Sequence, residues 1–407
     1  MTTTVDAGKP PAISHSALFA RFIKFGCLAF GGPVAQIAMI KRELVERERW
    51  MEPAHFNRLL AVMQVLPGPE AHELCVHLGI RAKGRLGGLL AGLGFMLPGL
   101  MLMMGVAWAY VRFGLAQGPL EAAFLGVQVA VIAVIVRAVH RIGAHILEDR
   151  LLWVLAIGAG IATLVGVSFW IVLIGAGLTY AFWSDGRRGL ALACVAVTIG
   201  VASVVQLLLD LESGVGWPSA AASSDVQAVG VLALFVAGLK AGLLTFGGAY
   251  TAIPYVRADT VSRGWITDGQ FLDGVAVAGV LPAPLVIFAT FVGYVAGGPW
   301  GALAITAGIF LPAFAFSMIF YERLERVMDM PRLQTLLSGV AAAVVGIIGA
   351  TTMQLGVVTA QRVPSIWAGL AIFLAALVVV YLWKSKFSAV FVLAGTAVAG
   401  ATVFGGV

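Results

Sequence analysis

Apolar residues fill most of the chain in runs of membrane length, and polar positions fall mainly in the short gaps between them. The first half carries runs at 17–40, 54–79, 86–111 and 119–140, then a tight pair at 151–166 and 169–183. A further run at 189–209 stands alone, and the second half repeats the series at 226–254, 270–296, 299–320, 333–357, 365–383 and 387–407. A helix needs about 20 apolar residues to cross a bilayer core, so the pattern predicts an all-α polytopic membrane protein with about 13 transmembrane helices.

Composition strengthens this reading. Hydrophobic residues make up 60% of the 407-residue chain and charged ones only 11%, with a mean hydropathy of +0.98. A soluble domain carries about 25% charged residues. The lipid bilayer is therefore an expected partner. The net charge of +6 does not point to nucleic acid, because the basic residues sit in short loops, where the positive-inside bias puts them. Residues 1–16 (MTTTVDAGKPPAISHS) read as a disordered N-terminal tail, with no cleavable signal peptide evident. Cys27, Cys75 and Cys194 are isolated in apolar segments, without disulfide or metal spacing, and no cofactor or metal is expected.

The polar and Gly/Pro landmarks repeat. K-x-G-x-L-x-F-G-G occurs at Lys24–Gly32 and again at Lys240–Gly248. Trp50 is matched by Trp265, Pro67-Gly68-Pro69 by Pro282-Ala283-Pro284, Leu97-Pro98 by Leu311-Pro312, and Gly126-Val127 by Gly339-Val340. The offset drifts only from 216, at Lys24 and Lys240, to 213, at Gly126 and Gly339. Apolar helices seldom keep such landmarks in step by chance, so the chain divides into a first repeat at 17–184, a connecting helix and linker at 185–225, and a second repeat at 226–407.

Six runs plus one is an odd number, so the second repeat is expected to be inverted. Loop charges agree. With Arg81, Lys83 and Arg85 placed in the cytoplasm, the inside loops also hold Arg137, Arg141, Arg150, Arg187 and Arg188, whereas 210–225 and 297–300 carry no Lys or Arg. This puts the N-terminus inside and the C-terminus in the periplasm. One loop disagrees: KRELVERERW at 41–50 falls outside by this count, yet carries Lys41, Arg42, Arg47 and Arg49. The conflict disappears if the first two segments are broken or re-entrant instead of simple spans.

Inverted repeats with interrupted helices are the architecture of secondary transporters, whose substrate sits where broken helices meet. Gly31, Gly32 and Pro33, with Gly247 and Gly248 in the second copy, form one pair of interruptions. Pro67, Gly68 and Pro69, with Pro282 and Pro284, form the other. Each can end one half-helix and start another, presenting free N–H groups and a positive dipole end to an anion. The alternative is that Gly and Pro serve only packing and kinks, but four breaks in register favour a cavity. Lys24 and Lys240 add full charges at matched positions. A lysine deep in a span costs at least about 2.5 kcal/mol, so a substrate role competes with snorkelling to the boundary. Glu70, Glu73 and His77 lie on one helical face at i, i+3 and i+7, with His72 beside them, and are the proton-coupling candidates.

At these residues the chain resembles the chromate ion transporter family in its long, two-domain form. The elements that carry the resemblance are K-x-G-x-L-x-F-G-G-P at 24–33, Trp50, L-P-G-P-E at 66–70 and G-G-L-L-A-G-x-x-F-x-L-P at 87–98. In the second half they are T-F-G-G at 245–248, L-P-A-P at 281–284, Gly293-Tyr294 and F-L-P at 310–312. The resemblance implies an inner-membrane carrier that expels chromate using the proton gradient, with sulfate as the close mimic. Its expected partners are the oxyanion and protons, and a homodimer is allowed for. An uptake carrier for sulfate or another oxyanion is the alternative on the same scaffold. An intramembrane enzyme is disfavoured by the lack of a G-x-S-x-G elbow or zincin motif, and a self-contained pump by the lack of a P-loop. A passive anion channel is distinguished by saturation and gradient dependence.

Overall fold

The structure, a computed structural model, describes residues 10–405 apart from 12, 64–66, 115–119, 215–228, 246–248, 320–330 and 384–387. Every regular element among the described residues is helical. In chain order these are α1 (His15–Cys27), α2 (Gly32–Ile40), a π-helical turn (Lys41–Arg47), α3 (Pro53–Met63), α4 (Glu70–Phe113), α5 (Glu121–Ile146), α6 (Arg150–Leu164), α7 (Phe169–Ser184) and α8 (Arg188–Gly214). The second half gives α9 (Val231–Leu243), α10 (Ala252–Thr260), α11 (Asp268–Val280), α12 (Phe288–Ile319), α13 (Pro331–Arg362), α14 (Ile366–Leu382) and α15 (Ser388–Phe404). Short 3₁₀ turns at Ala249–Thr251 and Leu285–Ile287 precede α10 and α12.

Among the described residues five stretches are long and apolar enough to cross a membrane: 70–113, 121–146, 188–205, 285–319 and 333–362. The shorter apolar helices α6, α7, α9, α14 and α15 have 13 to 17 residues. The run 17–40 is not one span. Ser14 caps α1 by accepting from the Ala17 N–H, and the helix stops after 13 residues. At 1.5 Å per residue such a helix is about 20 Å long, against a bilayer core of about 30 Å. Gly31 and Gly32 then turn the chain at φ 89° and 76°, and Pro33 sits in the first turn of α2. In the second copy α9 also has 13 residues.

Neither α4 nor α12 is straight. Lys83 and Gly84 leave helical geometry at φ/ψ −145°/28° and 65°/−166°, and Gly297 and Gly298 do the same at −145°/21° and 65°/−159°. The left-handed residue is glycine in both copies, as a turn without a Cβ penalty requires. Each helix folds back on itself there. A Cβ at Gly79 would collide with the Gly87 carbonyl, and one at Gly293 with the Gly301 carbonyl. Eight residues along a straight helix would separate these atoms by about 12 Å. The two copies thus share one local geometry down to individual residues.

The reversal explains the discordant basic loop. Arg81 Nε donates to the Trp50 carbonyl at 3.3 Å, so loop 41–50 lies at the same end as the Lys83-Gly84 turn. Between these two loops lie α3, the break at Pro67–Pro69 and the first arm of α4. Counting 54–79 as a full crossing separates two basic loops that are in fact neighbours.

The chain forms two compact units. The first comprises 1–138, 229–324 and 355–407, and the second 139–228 and 325–354. In the first, α1 packs along the second arm of α4 and α9 along that of α12, in the same way. Gly26 meets the Phe95 carbonyl and Gly94 that of Phe19, while Gly242 meets the Ile309 carbonyl and Gly308 that of Phe235. In the second unit small residues likewise bring backbones together, Gly160 on Gly346 and Gly177 on Gly339, as membrane helices use them.

Candidate functional site

The breaks of the two repeats meet inside the first unit. The Gly68 amide, in the second break of the first copy, donates to the carbonyl of Thr245 at 2.8 Å, where α9 has just ended. The reciprocal tie runs through a side chain. Gln36 of α2 is 1% exposed, and its Nε2 donates to the Ala29 carbonyl at 2.9 Å and to the Ala283 carbonyl at 2.8 Å. Ala29 is the counterpart of Thr245, and Ala283 that of Gly68. Both amide hydrogens of Gln36 are therefore spent on non-helical backbone, which at membrane depth must be satisfied by protein or water.

Small residues make this approach feasible, in a crossed pattern. Ala313 of α12 lies against Gly68, where an added Cβ would come within 3.1 Å of the Ala313 Cβ and would also strike Glu73 Oε1. Ala283 lies against Gly99 of α4, where a Cβ would collide with that of Ala283. Each contact pairs a glycine of the first copy with an alanine of the second, and the glycine lies in the break in one and in the helix arm in the other.

Glu70, His72, Glu73 and His77 all fall in the first arm of α4 and are buried. Glu73 is wholly buried beside Gly68, and neither of its oxygens has a hydrogen-bond partner among the described residues. His72 stands edge-on to Phe310 and Phe314, at ring distances of 4.9 and 4.6 Å. Glu70 and Glu73 occupy the first helical turn, where the dipole favours negative charge.

The two lysines differ. Lys24 is exposed in the last turn of α1, and no ion pair reaches it among the described residues. Lys240 donates to Asp259 Oδ1 at 2.9 Å, and Arg263 approaches the same oxygen at 3.7 Å. In the first copy the counterparts of Asp259 and Arg263 are Glu43 and Arg47, which pair at 3.0 Å without the lysine. The Arg47 hydrogen bond holds the Glu43 carboxyl below the usual carboxylate range. Pro69 and Pro284 are buried, and Gly32, Pro33, Pro67 and Pro282 half-buried. Gly31 is exposed. Gly247 and Gly248 lie outside the described residues.

Sequence reasoning passes over Gln36, a lone amide in an apolar run; Arg21, one turn before Lys24, reads from sequence as either a boundary arginine or a substrate contact, without the partners that hold it. Arg21 pairs with Glu48, whose other oxygen accepts from Trp50 Nε1 at 3.0 Å, and its guanidinium lies 5.5 Å over the fully buried Trp50 ring. The available signal for Gln36 is a polar residue four positions after Gly32. Nothing local announces which carbonyls it reaches.

A family model described as chromate transporter matches residues 16–181 and 232–401, the two stretches that carry the repeated landmarks. The chain is 60% identical to a chromate transport protein of Pseudomonas aeruginosa, over 99% of this chain and 96% of that one. It is 31% identical to a chromate transport protein of Cupriavidus metallidurans, over 97% and 94% of the two chains. No solved structure matches.

Proposed function

The chain belongs to the chromate transporter family, and on that premise we propose that it is a secondary carrier that expels chromate across the bacterial inner membrane. The proton gradient drives it, and chromate resistance results. The observation that carries this reading is the meeting of the helix breaks through Gly68, Thr245, Gln36, Ala29 and Ala283. Gly68 leads into the start of α4 and Ala283 into the 3₁₀ turn before α12, and the free N–H groups and dipoles of such starts suit a tetrahedral oxyanion. Gly31, Gly32, Pro33, Pro67, Gly68 and Pro69 frame the first half of the site, and Pro282, Pro284, Gly247 and Gly248 the second. Lys24, exposed at the end of α1, is the cation at its approach, whereas Lys240 is committed to Asp259.

Inversion of the repeats supports alternating access. With the Lys83-Gly84 turn cytoplasmic, the half-helices of the first copy enter from inside. Those of the second enter from outside, and the N-terminus is cytoplasmic. The basic loop 41–50 then obeys the positive-inside rule.

Uptake of sulfate or a similar oxyanion is the second reading, and Glu73 favours it. A proton on that carboxyl removes negative charge beside the site and strengthens oxyanion binding, and by linkage the oxyanion strengthens proton binding. Ligands that bind together travel together, so coupling at Glu73 carries the oxyanion inward with its proton.

Everted vesicles separate the two readings. Chromate accumulation that collapses with a protonophore supports efflux. Sulfate flux in right-side-out vesicles, without chromate accumulation in everted ones, would replace it.

A further inference from the structure

A second buried carboxyl lies apart from the breaks. Asp273, in the second turn of α11, is 1% exposed. Its Oδ2 accepts from the Tyr110 hydroxyl at 2.7 Å and its Oδ1 from Gln128 Nε2 at 2.7 Å. Gln128 Oε1 in turn accepts from Arg362 Nη1 at 2.9 Å, and the Arg362 guanidinium packs on the backbone of Gly269. These groups come from α4, α5, α11 and the end of α13. No ion pair reaches Asp273 among the described residues; the nearest cation, Arg362, is held one residue away by Gln128.

We propose that Asp273 is a proton-binding site of the carrier, separate from the oxyanion site and linked to it through α11. The inference rests on the proton-driven reading and deepens it. Three features of the site support it. Both direct donors are neutral, and Arg362 bonds to Gln128 instead of to the carboxyl, so its charge favours the carboxylate less than a direct ion pair would. Tyr110 can accept as well as donate, so Oδ2 keeps a hydrogen-bond partner at 2.7 Å when it takes a proton. Arg362 is exposed at the far end of the chain of hydrogen bonds, which gives the carboxyl a polar route to water.

The coupling path is short. From Asp273 to the end of α11 at Val280 is seven residues, about 10 Å of helix, and the next residues are the break Leu281–Pro284. Tyr110 and Gln128 belong to the first repeat and Asp273 to the second. Taking up or losing a proton therefore changes a bond between the elements that must shift in alternating access. A proton site away from the oxyanion site can load when the oxyanion has left, which is what exchange of one for the other requires and what Glu73 alone would not provide.

The test uses the purified full-length protein in liposomes, with two readouts: oxyanion exchange without any gradient, and net flux driven by a pH gradient. For D273N the expected result is exchange within about twofold of wild type and gradient-driven flux down at least about tenfold. For Y110F, exchange is kept and the pH midpoint of driven flux moves. Wild-type driven flux in D273N would overturn the proposal. If D273N does not accumulate as folded protein, Y110F decides: a displaced midpoint supports the site and an unchanged one overturns it. A wild type that exchanges oxyanion but ignores the pH gradient would overturn the proton-driven reading, and this inference with it.

Discussion

The Gly68 amide donates to the Thr245 carbonyl at 2.8 Å, so the second break of one repeat is bonded to the first break of the other. The bond also leaves little room at Gly68, whose φ is 139° and whose missing Cβ space is taken by Glu73 and Ala313.

Gly68→Ala should therefore abolish transport and lower stability by about 2–4 kcal/mol, through overpacking and backbone strain together. Adding Ala313→Gly, which copies the Ala283–Gly99 pairing, relieves the collision with α12 but not the strain. The double variant should regain part of the stability in detergent melting curves. No regain would mean that Ala313 is not the obstacle.

The two lysines should behave differently. Lys24→Gln removes a side chain with no ion-pair partner among the described residues, so oxyanion flux should fall while the melting temperature holds. Lys240→Gln strips Asp259, a mostly buried carboxylate, of its nearest cation and should cost about 2–3 kcal/mol, with Arg263 compensating in part. Lys240→Gln with Asp259→Asn should recover most of that loss. Equal effects of both lysine variants on flux and stability would contradict the asymmetry.

Gln36→Leu keeps the volume but leaves the carbonyls of Ala29 and Ala283 without their shared donor. About 1–3 kcal/mol per unsatisfied group is expected, with transport lost. Stability at the wild-type level in a thermal-shift assay would show that another donor takes over.

Arg49 is the one non-glycine residue at positive φ among the described residues, at 55°, and its counterpart in the second repeat is Gly264 at 69°. A non-glycine residue in that conformation costs about 1–2 kcal/mol, and glycine gives back about half of this as unfolded-chain entropy. Arg49→Gly should thus raise stability by about 0.5–1 kcal/mol without loss of transport. A lower melting temperature would mean that the Arg49 side chain makes a stabilising contact.

Much of the fold can be read from the chain, because apolar periodicity, the repeated Trp, Gly and Pro landmarks and the interrupted helices are local properties. The Gly31-Gly32-Pro33 and Pro67-Gly68-Pro69 breaks sit where the sequence places them, since no other residues end and restart a helix so cheaply. The reversal at Lys83-Gly84 reads as a loop between two spans; that it lies beside loop 41–50 shows only in the contact of Arg81 with Trp50. Loop charge carries a warning at 41–50, but charge alone does not say which crossing is false.

Local pattern along the chain suffices to read a duplicated, helical membrane protein of the chromate transporter family with helix breaks at matched positions. Tertiary structure decided which breaks touch, that Lys240 is tied to Asp259 while Lys24 is not, and that Gln36 and Asp273 are buried joints between the repeats. The physical reason is separation along the chain. A helix break needs only neighbouring residues, whereas the partner of a buried amide or carboxyl 163 or 247 positions away is chosen by how whole helices pack.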